Sequence, residues 1–547
     1  MSTNLLNITD LAIDLPAGSD RQYAVREINL KLAPKETLCV VGESGSGKSL
    51  TARAIMGLLP APHVKVTEGC INFNGEDLTK VSYEHLRQIR GSEISMIFQE
   101  PMTALNPVMS IGNQIDEVFR FHIDMQGKER TQKAMKLLED VHLPDPINIM
   151  NAYPHELSGG QRQRAMIAMA LALQPQILIA DEPTTALDVT TQAQILKLIR
   201  DLQVEKNTGV LFITHDFGVV AEIADRVAVM QDGCIVESGD VDQVLNNPTH
   251  PYTQALIAAV PRLQPRASRI SSEKTVLTVK DVSKTFGGGR GLFGFGKSAR
   301  EVKAVKNVTL SLHRGETLGI VGESGSGKST LARCIIRLMD TDSGDIAING
   351  ENVNHLGRAD MRPWRSKIQM VFQDPFASLN PRIRIGDIIA QGPVTQGVKK
   401  QEADQRAREL LDVVGLDELA FDRFPHEFSG GQRQRIGIAR SLALKPEILI
   451  ADEPVSALDV SIQAQILELL EQIRGQMDLS MIFITHDLRV AAQVCDRLAV
   501  MRFGEVVETG FTSEIFADPQ HDYTKELLAA VPGQGWSQGI AINQLPQ

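Results

Sequence analysis

The chain has 547 residues, 43% of them apolar and 22% charged, with a net charge of -11. These proportions exclude disordered and fibrous classes, and the length accommodates two or three domains, each with its own core. The negative balance argues against a nucleic-acid partner, which calls for a basic face.

Met1 to Asp10 lacks the basic start and small-residue cleavage site of a secretory signal. Apolar runs such as Ala165 to Leu173 fall short of the roughly 20 residues that span a bilayer, so a cytoplasmic chain is expected. Cys39, Cys70, Cys234, Cys334 and Cys495 stand alone without CxxC spacing. That argues against a disulfide framework, a zinc ribbon or an iron–sulfur cluster, and the cysteines read as small buried hydrophobes.

In chain order, the run Thr37 to Val41 predicts a strand, and Leu50 to Leu59 a helix. Between them, Gly42-Glu43-Ser44-Gly45-Ser46-Gly47-Lys48-Ser49 fits G-x-x-x-x-G-K-[ST]. A strand before and a helix after make this a phosphate-binding loop. Gly42, Gly45 and Gly47 let backbone N–H groups, that of Ser44 among them, turn inward around phosphates at the positive end of the helix. Lys48 is placed to reach the β- and γ-phosphates, and the Ser49 hydroxyl to ligate magnesium.

From roughly Leu78 to Leu173 the pattern is polar and helical, which predicts a helical subdomain inserted into an α/β core. Within it, Ser158-Gly159-Gly160-Gln161 satisfies the S-x-x-Q capping box of a helix start. The same serine and glycines also offer an anion-binding surface. Ile177 to Ala180 and Val210 to Thr214 are short continuous apolar runs, as expected for parallel strands buried on both faces. Asp181 and Glu182 follow the first run, the aspartate placed to hold magnesium through water and the glutamate to polarise the attacking water. His215 follows the second. Alone it reads as a hydrogen-bonded core histidine; beside the other motifs it becomes a candidate γ-phosphate contact. Arg226 to Gln231 and Cys234 to Glu237 flank Asp232-Gly233, a hairpin signature.

All of these features recur. The second loop supplies Gly322, Ser324, Gly325, Gly327, Lys328 and Ser329, and Ser429, Asp452-Glu453 and His486 follow in order. The offset between halves is 271 at Asp10 and Asp281, 280 at the phosphate loops, 274 at Gln99 and Gln373, and 271 from the SGGQ motifs to His486. The second half thus carries nine extra residues between Phe286 and Lys303, in a stretch holding the glycine-rich Gly287 to Lys297. It reads as a mobile hairpin tip on the surface in preference to a membrane contact. Leu263 to Thr275 is polar with one proline and reads as a linker. The predicted division is 1–262, 263–275 and 276–547, each half a full domain.

The phosphate loops, Gln99, the SGGQ motif, Asp181-Glu182, Ala186-Leu187-Asp188 and His215 resemble the nucleotide-binding domain of ABC ATPases. Gln373, Ser429, Asp452-Glu453, Ala457-Leu458-Asp459 and His486 repeat the resemblance in the second half. It implies two tandem domains, each an α/β core with an antiparallel β subdomain and an inserted helical subdomain, with ATP and Mg2+ as cofactors. It further implies head-to-tail pairing of the halves. Lys48, Ser49, Gln99, Asp181, Glu182 and His215 would meet Ser429, Gly431 and Gln432. Lys328, Ser329, Gln373, Asp452, Glu453 and His486 would meet Ser158, Gly160 and Gln161. Magnesium would fall to Ser49, Gln99 and Asp181 in one site and to Ser329, Gln373 and Asp452 in the other. The family's aromatic ahead of the loop implies adenine stacking by Phe286; its counterpart is Leu15, which leaves Tyr23 as the candidate in the first half. Neither half lacks a catalytic residue, so both sites are expected to hydrolyse ATP.

Phe98 to Pro107, Phe372 to Pro381 and the tails His250-Pro251-Tyr252-Thr253 and His521-Asp522-Tyr523-Thr524 are similar to the oligopeptide, dipeptide and nickel importer ATPases. The fusion of both ATPases resembles the tandem glutathione and microcin importers. This implies two membrane permease subunits, a solute-binding protein and one chain per transporter, peripheral to the cytoplasmic face of the bacterial inner membrane. An export ATPase is the alternative. A ribosomal role would bring a long charged linker and a DNA-repair role zinc-type cysteine pairs, and the sequence has neither. Many relatives hold an iron–sulfur cluster on cysteines after the HPYT segment. No cysteine follows Cys495 here, so no cluster and a colourless protein are expected. The cargo itself is not written in this chain.

Overall fold

The computed structural model describes residues 4–16, 18–19, 21–184, 187–266, 269, 272–287, 301–456 and 458–536. Most of the glycine-rich stretch at 288–297 lies outside the described residues, as do Ala186 and Ala457.

Each half contains a six-stranded and a four-stranded sheet. In the first half the larger sheet runs Cys234–Asp240, Arg226–Gln231, Thr37–Val41, Gly209–Ile213, Ile177–Asp181, Ile94–Ile97. All neighbours are parallel except the outer hairpin pair. Its three central strands, Thr37–Val41, Gly209–Ile213 and Ile177–Asp181, are buried at every position because both faces are covered. Val41, Leu178 and Phe212 point into one core with Ile115, Phe119 and Leu138 of the helical subdomain. Val40, Ile179 and Leu211 alternate into another, beneath the antiparallel sheet. Burying a side chain such as Phe212 contributes about 1.5–3 kcal/mol.

The smaller sheet, Tyr23–Leu32, Leu6–Asp14, Lys65–Phe73 and Glu76–Asp77, is antiparallel. The helical layer contains Ile111–His122, Gly127–Asp140, Pro146–Asn151 and Gly159–Leu171. The predicted helical segment also hides a strand, Ile94–Ile97, at the edge of the larger sheet. Ile-Ser-Met-Ile is too short a run to reveal a period. The helix after the first phosphate loop is Lys48–Ile55, earlier and shorter than its pattern suggests. The hairpin turn forms as expected, with Asp232 at φ 48° and Gly233 at φ 84°, the left-handed pair of a type I′ turn.

The second half repeats both sheets with the same strand orders. Segments near the end of each half cross to the other. Leu263 packs on the core of the second half, Arg266 N donates to Ala492 O at 3.0 Å, and Arg269 pairs with Asp496 at 2.8 Å and Glu471 at 2.9 Å. In return, Trp536 packs on the core of the first half. Part of the 263–275 stretch thus lies against the second half.

Candidate nucleotide sites

The phosphate loops, the acidic pairs and the histidines all leave the carboxyl ends of adjacent parallel strands, where α/β sheets gather ligands. A Cβ at Gly42 or Gly322 would lie 2.2 Å from the carbonyl oxygen of Met230 or Met501, so only glycine fits. Gly47 and Gly327, at φ 102° and 105°, open helices without a side-chain cap, which leaves the first N–H groups available to an anion. Above Gly45 and Gly325 there is open space.

Lys48 and Lys328 are buried. Their Nζ atoms donate to the carbonyls of Gly42 and Glu43, and of Gly322 and Glu323, at 2.7 and 2.8 Å in each half. Burial lowers both ammonium pKa values, and carboxylates around them offset part of it. Ser49 Oγ donates to Asp181 Oδ1 at 2.9 Å and Ser329 Oγ to Asp452 Oδ1 at 3.0 Å. Burial raises both carboxyl pKa values against the serine hydrogen bonds. A hydroxyl beside a carboxylate is the oxygen set a hard divalent cation takes, so these residues fit magnesium. In the second loop the buried Ser326 hydroxyl has no partner, a polar atom suited to a phosphate oxygen.

Gln99 and His215 converge on Glu182: Gln99 Nε2 donates to Oε2 at 2.9 Å, and His215 Nδ1 lies 3.2 Å from Oε1. Gln373 and His486 hold Glu453 the same way, at 2.8 and 3.3 Å. Each glutamine amide thus donates to the glutamate of its own half. Both glutamates have φ 48°, a left-handed conformation that non-glycine residues adopt rarely and mostly at functional positions. Burial works against charge on the imidazoles, yet the bonded glutamates raise both above the usual histidine value. For Glu453 burial pushes upward, and His486 and Lys328 bring the carboxyl below its ordinary value.

Sequence reading missed two residues here. The Tyr252 hydroxyl accepts from Glu43 N at 3.2 Å and that of Tyr523 from Glu323 N at 3.1 Å. The HPYT and HDYT segments, read only as marks of kinship, brace the phosphate loops. Burial lifts both phenols to about 12. Tyr23 lines a groove with Leu15, Arg21, Ser44 and Gly45. Phe286 ends its strand opposite Val302 and is 41% exposed.

The halves meet at these loops. Ser44 N donates to Asp459 Oδ1 at 2.9 Å, Ser461 Oγ donates to the Glu43 carboxylate, and Thr190 Oγ1 to the Glu323 carboxylate. Ser158 and Ser429 form capping boxes: Gln161 N and Gln432 N donate to them at 3.3 and 3.4 Å, and the glutamine side chains accept in return. Among the described residues, the hydrogen bonds between opposing halves at the loops come from Asp459, Ser461 and Thr190, not from these serines.

Paired phosphate loops, acidic strand ends and reciprocal contacts define an ATPase with two nucleotide-binding domains. The chain belongs to the ABC transporter family: that family's profile matches residues 25–185 and 305–456, and the profile "Oligopeptide/dipeptide transporter, C-terminal region" matches 236–288 and 507–545. It is 48% identical over 528 residues to the peptidoglycan transport ATP-binding protein YejF of Agrobacterium fabrum, covering 96% of each chain. It is 45% identical over 562 residues to the glutathione import ATP-binding protein GsiA of Salmonella typhimurium, covering 97% of this chain and 90% of the relative. To GsiA of Escherichia coli O157:H7 it is 46% identical over 560 residues, with the same coverage. The protein is an ATP-hydrolysing subunit that energises solute uptake.

Proposed function

We propose that this chain drives import of a peptide-like or related small solute through two separate permease subunits, fed by a solute-binding protein. The oligopeptide/dipeptide profile and relatives named for glutathione import and peptidoglycan transport support that cargo class. Among the described residues no helix is long and apolar enough to cross a membrane, in keeping with a subunit held peripherally at the cytoplasmic face of the inner membrane. One chain, with domains at 1–262 and 276–547 and a linker at 263–275, serves each transporter.

Two composite sites follow. The first joins Gly42, Ser44, Gly45, Gly47, Lys48, Ser49, Gln99, Asp181, Glu182 and His215 to Ser429, Gly431 and Gln432, with Tyr23 at the adenine. The second joins Gly322, Ser324, Gly325, Gly327, Lys328, Ser329, Gln373, Asp452, Glu453 and His486 to Ser158, Gly160 and Gln161, with Phe286 at the adenine. Ser49 with Asp181, and Ser329 with Asp452, would hold magnesium, joined by Gln99 and Gln373; bound there, it neutralises phosphate charge. Lys48 and Lys328 balance the β- and γ-phosphates. Glu182 and Glu453 orient the attacking water and take its proton, each held by its glutamine and histidine. No iron–sulfur cluster takes part.

The observation that carries this reading is the reciprocal pair Ser461–Glu43 and Thr190–Glu323, by which each half touches the other's phosphate loop. The test is ATP hydrolysis by the chain copurified with its permease pair in vesicles. Stimulation by a loaded binding protein on the external side supports import. Stimulation only by solute on the nucleotide side turns the assignment to export.

A further inference from the structure

Position 218 of the first half corresponds to position 489 of the second, by the same offset that relates His215 to His486. The residues there differ as much as two residues can: Gly218 against Arg489. Arg489 lies where the halves face one another. Its Nη1 and Nη2 donate to Asp216 Oδ1 and Oδ2, both at 2.9 Å, across the interface. Its Nε and Nη2 donate to Asp487 in its own half at 3.2 Å. Asp216 and Asp487 are themselves counterparts, each one residue beyond a site histidine. Each donates its backbone N–H to the threonine before that histidine, at 3.0 Å, and each carboxylate caps the helix that follows. One guanidinium therefore joins the two histidine loops.

The inequality is required by space and charge. A Cβ on Gly218 would meet Arg489 Nη1 at 2.6 Å and Pro532 O at 2.8 Å. Two arginines would bring like charges together on the axis relating the halves. Two glycines would leave two partly buried carboxylates without the cation they share. A pair of identical chains obeying the two-fold cannot place one arginine there; a fused chain can. Burial opposes the charge on Asp216, and Arg489 nevertheless holds its carboxyl below the usual range.

We infer that Arg489 is a positioning residue shared by both ATP sites, tying the His215 loop to the His486 loop so that closure at one site aligns the other. This rests on the reading that His215 and His486 serve the two sites. The bidentate fork to Asp216 breaks when the halves part, while the bonds to Asp487 travel with the second half. The coupling is thus made and broken on one side only, with Asp487 holding the arginine ready.

The test is the ATP dependence of hydrolysis by the full chain. Wild-type saturation is expected to be cooperative. R489M, which keeps bulk and removes the fork, brings the Hill coefficient to about one and raises the half-saturating ATP concentration about tenfold or more. R489K recovers part of both. D216N behaves like R489M, whereas D487N, which spares the bond between halves, stays cooperative. Non-cooperative wild-type saturation overturns the inference, and so does wild-type cooperativity in R489M, or in D216N should R489M not fold. Inactive E182Q/E453Q beside an unaltered R489M would remove only the coupling; an active E182Q/E453Q would remove the site assignment beneath it.

Discussion

The Ser44 N–H of the first phosphate loop donates to the Asp459 carboxylate at 2.9 Å, while Asp188, the counterpart of Asp459, accepts from Thr191 N at 2.8 Å and caps its own helix. Two equivalent aspartates thus do different work. A phosphate in the loop would compete with Asp459 for the Ser44 donor, and burial raises the Asp459 carboxyl pKa. Asp459→Ala is expected to tighten ATP binding at the first site about tenfold, the worth of one freed donor. Asp188→Ala is expected to cost about 1 kcal/mol of stability through the lost cap. Calorimetric titration and thermal melts separate the two; identical behaviour of both variants would show the difference to be without consequence.

Glu182 and Glu453 share the same geometry, so both sites should turn over. Glu182→Gln is expected to lower hydrolysis partially. Adding Glu453→Gln should remove it by about 10²-fold or more while leaving a closed, ATP-bound form visible by trapping of labelled nucleotide.

The histidine–glutamate pairs make stability depend on pH in a defined direction. His215 and His486 have raised values, so their contribution is complete below the unfolded value of about 6.5 and is lost as pH climbs through the folded value. Glu453 has a lowered value, so its contribution exists above the unfolded carboxylate value and fades as pH falls through the folded one. The gap in melting temperature between wild type and His486→Ala should therefore be widest near pH 6 and close toward alkali and strong acid. A gap that widens steadily with alkali would contradict the pairing.

Tyr252→Phe and Tyr523→Phe each remove one acceptor for a phosphate-loop N–H. Each should cost about 1 kcal/mol of stability and weaken ATP binding in its own half. Unchanged nucleotide affinity in both variants would reduce the tyrosines to packing.

Much of this was legible in the residues. Glycines before a lysine and serine, carboxylates after apolar strands and the Asp-Gly turn all act locally, so their spacing carries their geometry. The edge strand Ile94–Ile97 was not, because four residues leave no period. Nor were the links from Tyr252 to Glu43, 209 positions apart, and from Ser461 to Glu43, 418 apart. Such contacts depend on how domains stack, which no local pattern encodes. The bonds from the Gln99 and Gln373 amides to Glu182 and Glu453, 83 and 80 positions apart, are likewise set by packing.

The crossing of Leu263 onto the second half and of Trp536 onto the first has a consequence for anyone dividing the gene. A cut just after the first half strips the second of a strip of its covering, and a second protein ending before Trp536 leaves the first uncovered. The halves are tailored to one another at their seams, so an unrelated single-domain cassette cannot simply replace either one.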